Sequence, residues 1–419
     1  MTEALIDHPY RRAIMDEVHA RPVEIVDGPA RIRRLIFVMP SEAGAMTRVF
    51  ENFTAFCAAA GVAVPSDRQH SFDIGSRHIT WEFHTEFVTV TWRSALTDKT
   101  NFPDGIGIDI LADSFLIGAV RIDVTGDDTL PERLLAGFSQ ASLCLTNIDN
   151  GTAQVMTDFV PDADKFIRYE FAGGQLSALR RSILTRRLLE VETYRIMALL
   201  GLPLARELSP ALRAAEIELG ELVESLSDAE SLEAVKAALA TLHALSVRSG
   251  QFSERLGYRF AASHAYGDIL RARLAGLRET PTGLGSSLSH GVGNRVDPGL
   301  ATCSAMEKRL NVLAQKIERA TAMLNVRISL DMQVQNSTVL DTIAQTAVSQ
   351  FRLQRTVEGL STIAISYYLL GILSYFLAGP LEELHLPKTL TLSAAVPFVL
   401  LGVWLMVRYI RNAHFPTKS

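Results

Sequence analysis

Cysteine is scarce in this chain of 419 residues: Cys57, Cys144 and Cys303 stand far apart, without metal-ligand spacing. That excludes a cysteine metal cluster and suits a reducing compartment, with the three thiols acting as small buried hydrophobes. Positive charge is not in excess either. Apart from the tail that begins at Glu358, residues 1–357 hold 37 basic and 43 acidic side chains, a formal net charge of −6. Such a balance argues against nucleic acid as a partner. The opening MTEALIDHPYRRAIMDE has no apolar stretch, so no signal peptide is expected. No internal repeat and no long low-complexity run is found. Nothing resembles a serine-hydrolase elbow, a kinase motif set or a Gly-Lys-Ser/Thr phosphate loop, and the expectation is a protein that is not an enzyme.

One further absence is informative. Gly359–Ala378 and Leu390–Val407 contain no charged residue over 20 and 18 positions. At about 1.5 Å per residue, each is long enough to cross a hydrocarbon core of about 30 Å as a helix. The short loop between them, residues 379–389, makes them a hairpin in a lipid bilayer. Arg352 and Arg355 precede the first run, and Arg408, Arg411 and Lys418 follow the second. The positive-inside rule then predicts both termini and the soluble part in the cytoplasm. With no charge inside either span, proton-coupled transport is not expected.

The soluble part changes character along its length. Residues 1–172 mix strands and helices: Arg31–Met39, the alternating Arg77–Trp92, Leu116–Val124, Leu143–Ile148, Gln154–Val160 and Phe166–Phe171 read as strands. Glu42–Ala60 reads as a helix with Met46, Val49, Phe53 and Phe56 on one side, and Pro131–Ser139 as a shorter one. This predicts an α/β domain around one sheet. Residues 173–299 turn helical after Gly173 and Gly174. Pro203 breaks the first helix, another starts at Pro210, Asp228 is set to cap the next, and a break is expected near Gly250 or Gly257. Gly283, Gly285, Gly291, Gly293 and Gly299, with Pro281 and Pro298, mark Pro281–Gly299 as an exposed loop.

Residues 300–358 contain neither glycine nor proline. Met306, Leu310, Leu313, Ile317, Ala320 and Leu324 step by four and three, a heptad-like seam. Continued into the first span (359–378), this stalk helix would be roughly 90 Å long and would need helical partners, either its own antiparallel neighbours or copies of itself. The second span occupies 390–409 and a tail 410–419.

This layout of α/β domain, helical bundle, long stalk helix and two C-terminal transmembrane helices resembles the CorA-type divalent-cation transporter superfamily. The acidic loop GPLEELHLP at 379–387 is similar to the external loop of that family. The family's Gly-Met-Asn signature is absent, its place being taken by Tyr375-Phe376-Leu377-Ala378-Gly379-Pro380. His8-Pro9, DEVHARP at 16–22, WEFHTEF at 81–87, LEVETYRIMALLGLP at 189–203 and RTVEGLSTIAISYY at 355–368 resemble an uncharacterised family of bacterial membrane-anchored proteins, a resemblance over nearly the whole chain. That second resemblance implies no activity.

Four sets of residues are candidate sites. Glu17, His19 and Arg21 place a carboxylate, an imidazole and a guanidinium close together, able to bind an anion or shuttle a proton, or else to act as a docking arm. Glu82, His84 and Glu86 alternate along a strand and would share one face, as ligands to a divalent cation or as its solvated side, with Trp81, Phe83 and Phe87 opposite. Thr362, Ser366 and Ser374 form a hydroxyl stripe, either packing helices together or lining a pore between copies. Glu382 and Glu383 would gather cations at an external mouth. The Ser289–Val296 glycines read as a linker rather than a phosphate cradle. Together these predict a CorA-like homo-oligomer, a pentamer if the resemblance holds, that passes cations without the usual selectivity motif. The alternative is a membrane-anchored scaffold or sensor whose cytoplasmic domain binds a ligand or protein.

Overall fold

The computed structural model describes residues 8–11, 23–227, 231–376 and 387–414. The chain divides into two compact units, Met1–Ala320 and Thr321–Ser419. The first unit is built on strands β1 (Ala30–Val38), β2 (Gln69–Ile74), β3 (Arg77–Phe83), β4 (Phe87–Ser94), β5 (Phe115–Thr125), β6 (Cys144–Ile148), β7 (Ala153–Thr157), β8 (Ile167–Ala172) and β9 (Thr280–Pro281). They form one nine-stranded sheet in the order β2-β3-β4-β1-β5-β8-β7-β6-β9. β5 and β8 pair in parallel; the other neighbours are antiparallel. The helices are α1 (Ala45–Ala59), α2 (Ala178–Leu199), α3 (Gly201–Ser227), α4 (Leu232–Gly276), α5 (Leu288–Phe376) and α6 (Lys388–His414).

Strand alternation decides what each face of the sheet buries. Ile79, Trp81 and Phe83 of β3 and Val88, Val90 and Trp92 of β4 meet Val49, Phe53 and Cys57 of α1 in one cluster. Phe53 stacks on Trp81 at 4.4 Å, and the Trp81 indole donates to the Ile106 carbonyl at 3.0 Å. On the other face Ile32, Ile36, Val120, Ile122, Tyr169 and Phe171 pack against Leu184, Leu188 and Val191 of α2, with Leu274 of α4 and Val292 of α5. Buried Glu192 of α2 accepts from the Tyr169 hydroxyl at 3.0 Å and from Arg195 at 2.9 Å. The sheet and the helical region that follows Gly174 therefore share a single core inside the first unit.

Most expected strands form within a residue or two of their predicted limits. β2, residues QHSFDI, was not anticipated, because only Phe72 and Ile74 of it are large apolar side chains. The segment read as a helix over Pro131–Ser139 holds a 3₁₀ turn at Glu132–Gly137. α3 begins at Gly201, so Pro203 sits in its first turn, where its missing N–H costs nothing, and Pro210 lies inside the same helix. α4 runs unbroken through Gly250 and Gly257, and Ser231, not Asp228, caps it, accepting from Ala234 N–H; Asp228 lies outside the described residues.

Pro281–Gly299 corrects a prediction. Its second half is the start of α5 rather than a loop, and its glycines serve close packing. A Cβ on Gly291 would fall 2.3 Å from the Cys144 sulfur, and one on Gly299 would fall 2.6 Å from Leu199. Met306, Leu310, Leu313, Ile317 and Ala320 are buried along α5 as the seam predicted.

A band of charge crosses the face of the sheet that α1 covers. Arg31 grips Asp123 with two bonds of 2.6 and 2.8 Å. Arg33, wholly buried, donates to Asn101 at 2.9 Å and to the Asp98 carbonyl at 2.9 Å. Burial first, then repulsion from Asp123, pushes the Glu170 carboxyl up to about 7 against the pull of Arg168, Arg121 and Arg31. Two expectations follow from this packing. Gly174→Ala would put a Cβ 2.4 Å from the Gly126 carbonyl oxygen, so it should cost about 1–3 kcal/mol in chemical denaturation. Glu170 favours the folded state fully below the ordinary carboxyl value of 4.5 and loses that contribution as pH rises through about 7. Glu170→Gln should therefore raise the melting temperature of the detergent-solubilised protein at about pH 8, with the gain shrinking toward about pH 5.

Candidate functional site

At the β2-β3-β4-β1 end of the sheet, the face turned toward α2 is polar. Three rows lie in register across these strands: Gln69, Glu82 and Thr89; Ser71, Thr80, Thr91 and Arg34; and Asp73, His78, Arg93 and Ile32. Above them α2 presents Ser182, Thr185, Arg186 and Leu189, spaced three, four and seven residues from the first and so on one helical face. The chain entering β1 closes one side. Val26 N–H donates to Ser182 Oγ at 2.8 Å, and Arg181 donates to the Val26 and Asp27 carbonyls at 3.2 and 2.8 Å, which brings Glu24 to the same place. These elements enclose about 470 Å³ of empty space, counting the mouth that opens to solvent.

The charges inside are arranged around Glu82. Arg34 donates from Nη2 to its carboxylate at 2.8 Å and from Nε to Thr91 Oγ1 at 2.8 Å. Thr89 Oγ1 donates to the same carboxylate at 3.1 Å, and an Arg186 nitrogen lies 3.5 Å from its second oxygen. Burial alone would raise the Glu82 carboxyl, but Arg34, His84, Arg186 and the Thr89 hydroxyl outweigh it and hold it below the usual range. Glu24 goes the other way: burial, reinforced by Glu82, raises it despite His78, Arg34 and Arg93. Two buried donors in the lining are left over. Thr185 is only 3% exposed and its Oγ1 has no hydrogen-bond partner, and the Arg93 Nε is buried and likewise unpartnered.

The predicted site residues fall in different places. Glu82, His84 and Glu86 do not lie along one strand, because β3 ends at Phe83 and the chain turns through His84–Glu86 into β4. Glu82 points into the pocket, whereas Glu86 accepts from the Tyr266 hydroxyl at 2.8 Å and pairs with Arg259. The Glu82 side is also not a solvated face, since α2 covers it. Trp81 and Phe83 are buried together under α1, but the turn sends Phe87 to the opposite core. Among the described residues, no group of three or more His, Cys, Asp or Glu side chains is placed to hold a metal ion.

In the second unit, the Thr362 hydroxyl donates to the Glu358 carbonyl and that of Ser374 to the Gly371 carbonyl, each at 2.8 Å. Ser366 is 2% exposed, while Tyr367, Tyr368 and Tyr375 are on open surface. Val357 and Ser361 of α5 line one groove with Val407 of α6, and Val403 of α6 is buried. Within one chain Ser366 is buried, while Thr362 and Ser374 are partly exposed and bonded to their own helix. α5 and α6 each contain a stretch long and apolar enough to cross a membrane. Glu17, His19, Arg21, Glu382 and Glu383 lie outside the described residues.

Sequence reasoning did not find Arg34, Arg93 or Thr185. A signal existed: RIRRLIFVM places Arg34 on the opposite side of a buried strand from Arg31 and Arg33, so a polar interior on both faces was implied. A family profile described as Protein of unknown function (DUF3422) matches residues 6–414, a span that takes in both units. The chain belongs to this family. No curated protein and no solved structure gives a significant match.

Removing one member of the buried pair should be far worse than removing both. Glu82→Leu leaves the Arg34 guanidinium buried without its carboxylate and should cost about 3–5 kcal/mol. Combining it with Arg34→Met should recover most of that loss, as a double-mutant cycle in chemical denaturation would measure.

Proposed function

We propose that this protein is a membrane-anchored ligand-binding protein, a sensor or scaffold whose α/β domain takes a small molecule into the pocket between the sheet and α2. The observation that carries this reading is the pair of unpartnered donors, Thr185 Oγ1 and Arg93 Nε, in a cavity whose other polar groups are largely occupied with one another. Buried polar groups without partners are rare in native proteins, and a cavity where they converge is the default place for a ligand. In this reading the α5–α6 hairpin is an anchor in the bacterial inner membrane, with both termini and the α/β domain in the cytoplasm. No reaction is assigned to the protein. A screen of small polar metabolites by melting temperature, run beside a Thr185→Phe variant that fills the cavity, tests this. At least one compound should stabilise the parent and not the variant; a screen that stabilises neither, or both alike, ends the reading.

A second reading is a CorA-like homo-oligomer that passes cations. It is favoured by the exposed apolar side chains of α5 ahead of the span, among them Val326, Leu330, Leu340, Ile343 and Phe351, which copies of the chain would bury. Here a pentamer by micelle-corrected light scattering, together with cation flux into liposomes that falls on Glu382→Gln and Glu383→Gln substitution, is the expected result. A monomer without flux excludes it.

A further inference from the structure

We propose that the pocket takes a small organic carboxylate, held by Arg93 and Thr185 with its aliphatic body against Val26, Ile32 and Leu189. This rests on the ligand-binding reading above and adds the chemical class. The argument is one of elimination among the lining groups. Arg34 and Glu82 satisfy each other, Thr91 accepts from Arg34, Thr80 shares a hydrogen bond of 2.8 Å with Ser71, and Ser182 is committed to Val26 N–H and to the Ala178 carbonyl. The buried Nε of Arg93 makes no hydrogen bond, and the Thr185 hydroxyl makes none either.

A guanidinium carries donors only and is always charged, so its missing partner is an acceptor, and the strongest fit is an anion. The lining as a whole agrees, with Arg34, Arg93 and Arg186 against Glu24 and Glu82. The number of free donors decides between anions. One guanidinium fork and one hydroxyl match the two oxygens of a carboxylate, whereas a phosphate dianion has more oxygens and more charge than these can satisfy. Glu24 would repel any anion, but burial raises its carboxyl and so lowers the pH cost of neutralising it.

The rest of the ligand is set by the apolar wall. Ile32 pairs directly with Arg93 across β1 and β4, so a carbon chain leaving the carboxylate runs along Ile32. Val26 is 4% exposed, and Leu189 of α2 faces the same space from above. An aliphatic acid would therefore trade apolar contact at one end for a charge-assisted fork at the other.

The experiment uses the full-length protein in detergent, with calorimetry and melting temperature as readouts. The probes are butyrate and hexanoate against butylamine, butanol and inorganic phosphate. The carboxylates should bind saturably and raise the melting temperature, hexanoate more than butyrate. Arg93→Met keeps the aliphatic bulk and should weaken that binding at least about tenfold; Thr185→Val should weaken it by less. Arg93→Lys keeps the charge without the fork and should fall between, which tells a lost contact from a misfolded variant. If butylamine, butanol or phosphate binds and the carboxylates do not, the pocket stands and its assigned class is wrong. If no probe binds, both readings fail. Carboxylate binding that survives Arg93→Met unchanged would be adventitious and would overturn the proposal.

Discussion

A sheet covered on both faces leaves no side chain of its central strands free to choose water. Most residues of β1, β3 and β4 lie either under α1 or under α2 and its neighbours, so a polar one there must find a partner or remain a charge in the interior. That constraint governs the first unit. It places Trp81 and Phe53 together on one side, and on the other it makes Arg34 and Glu82 depend on each other. It also explains why the helices after Gly174 cannot be a separate domain: without α2, the Ile32, Val120 and Tyr169 side of the sheet would face solvent.

Natural cores usually bury such a face with aliphatic side chains. Here the strands from β2 to β1 alternate aromatic residues on one side with threonine, glutamate and arginine on the other, and α2 answers with serine, threonine and arginine at helical spacing. A buried ion pair of this kind adds little stability over an apolar replacement, because desolvating both charges offsets their attraction. What it provides is a cavity lined by oriented donors, which an aliphatic interior would have closed. The pocket and the fold thus draw on the same residues.

Much of the scaffold is legible in the sequence, for reasons that differ by element. The strands from Arg31 to Phe171 are visible because β-branched and aromatic residues concentrate there, and the two long apolar stretches of α5 and α6 because charge is missing from them. The seam from Met306 to Ala320 shows its period plainly. β2 is hidden because this short edge strand carries only two large apolar side chains, Phe72 and Ile74, too few to mark a strand. The turn at His84–Glu86 is hidden because nothing in WEFHTEF marks a reversal: no glycine, proline or asparagine stands there. That single unmarked turn is why Glu82 and Glu86, two strand steps short of each other on paper, sit in different environments. The pocket itself joins residues from β1, β3, β4 and α2, a convergence over some 150 positions that no local pattern encodes.

The opening turns of α5 hold one more consequence. Gly291, Gly293, Pro298 and Gly299 make this stretch a poor helix by itself, each glycine costing about 1 kcal/mol against alanine and an interior proline about 3. It is helical because Cys144 and Leu199 leave room only for residues without a Cβ, so docking, and not the local sequence, makes the helix. The start of α5 is therefore conditional: it exists while β6 and the end of α2 are in place, and it is the part of that helix that would unwind first if either loosened. A chain whose longest helix begins on borrowed stability carries, at that point, a sensitivity to the state of its sheet that a run of alanines and leucines would have erased.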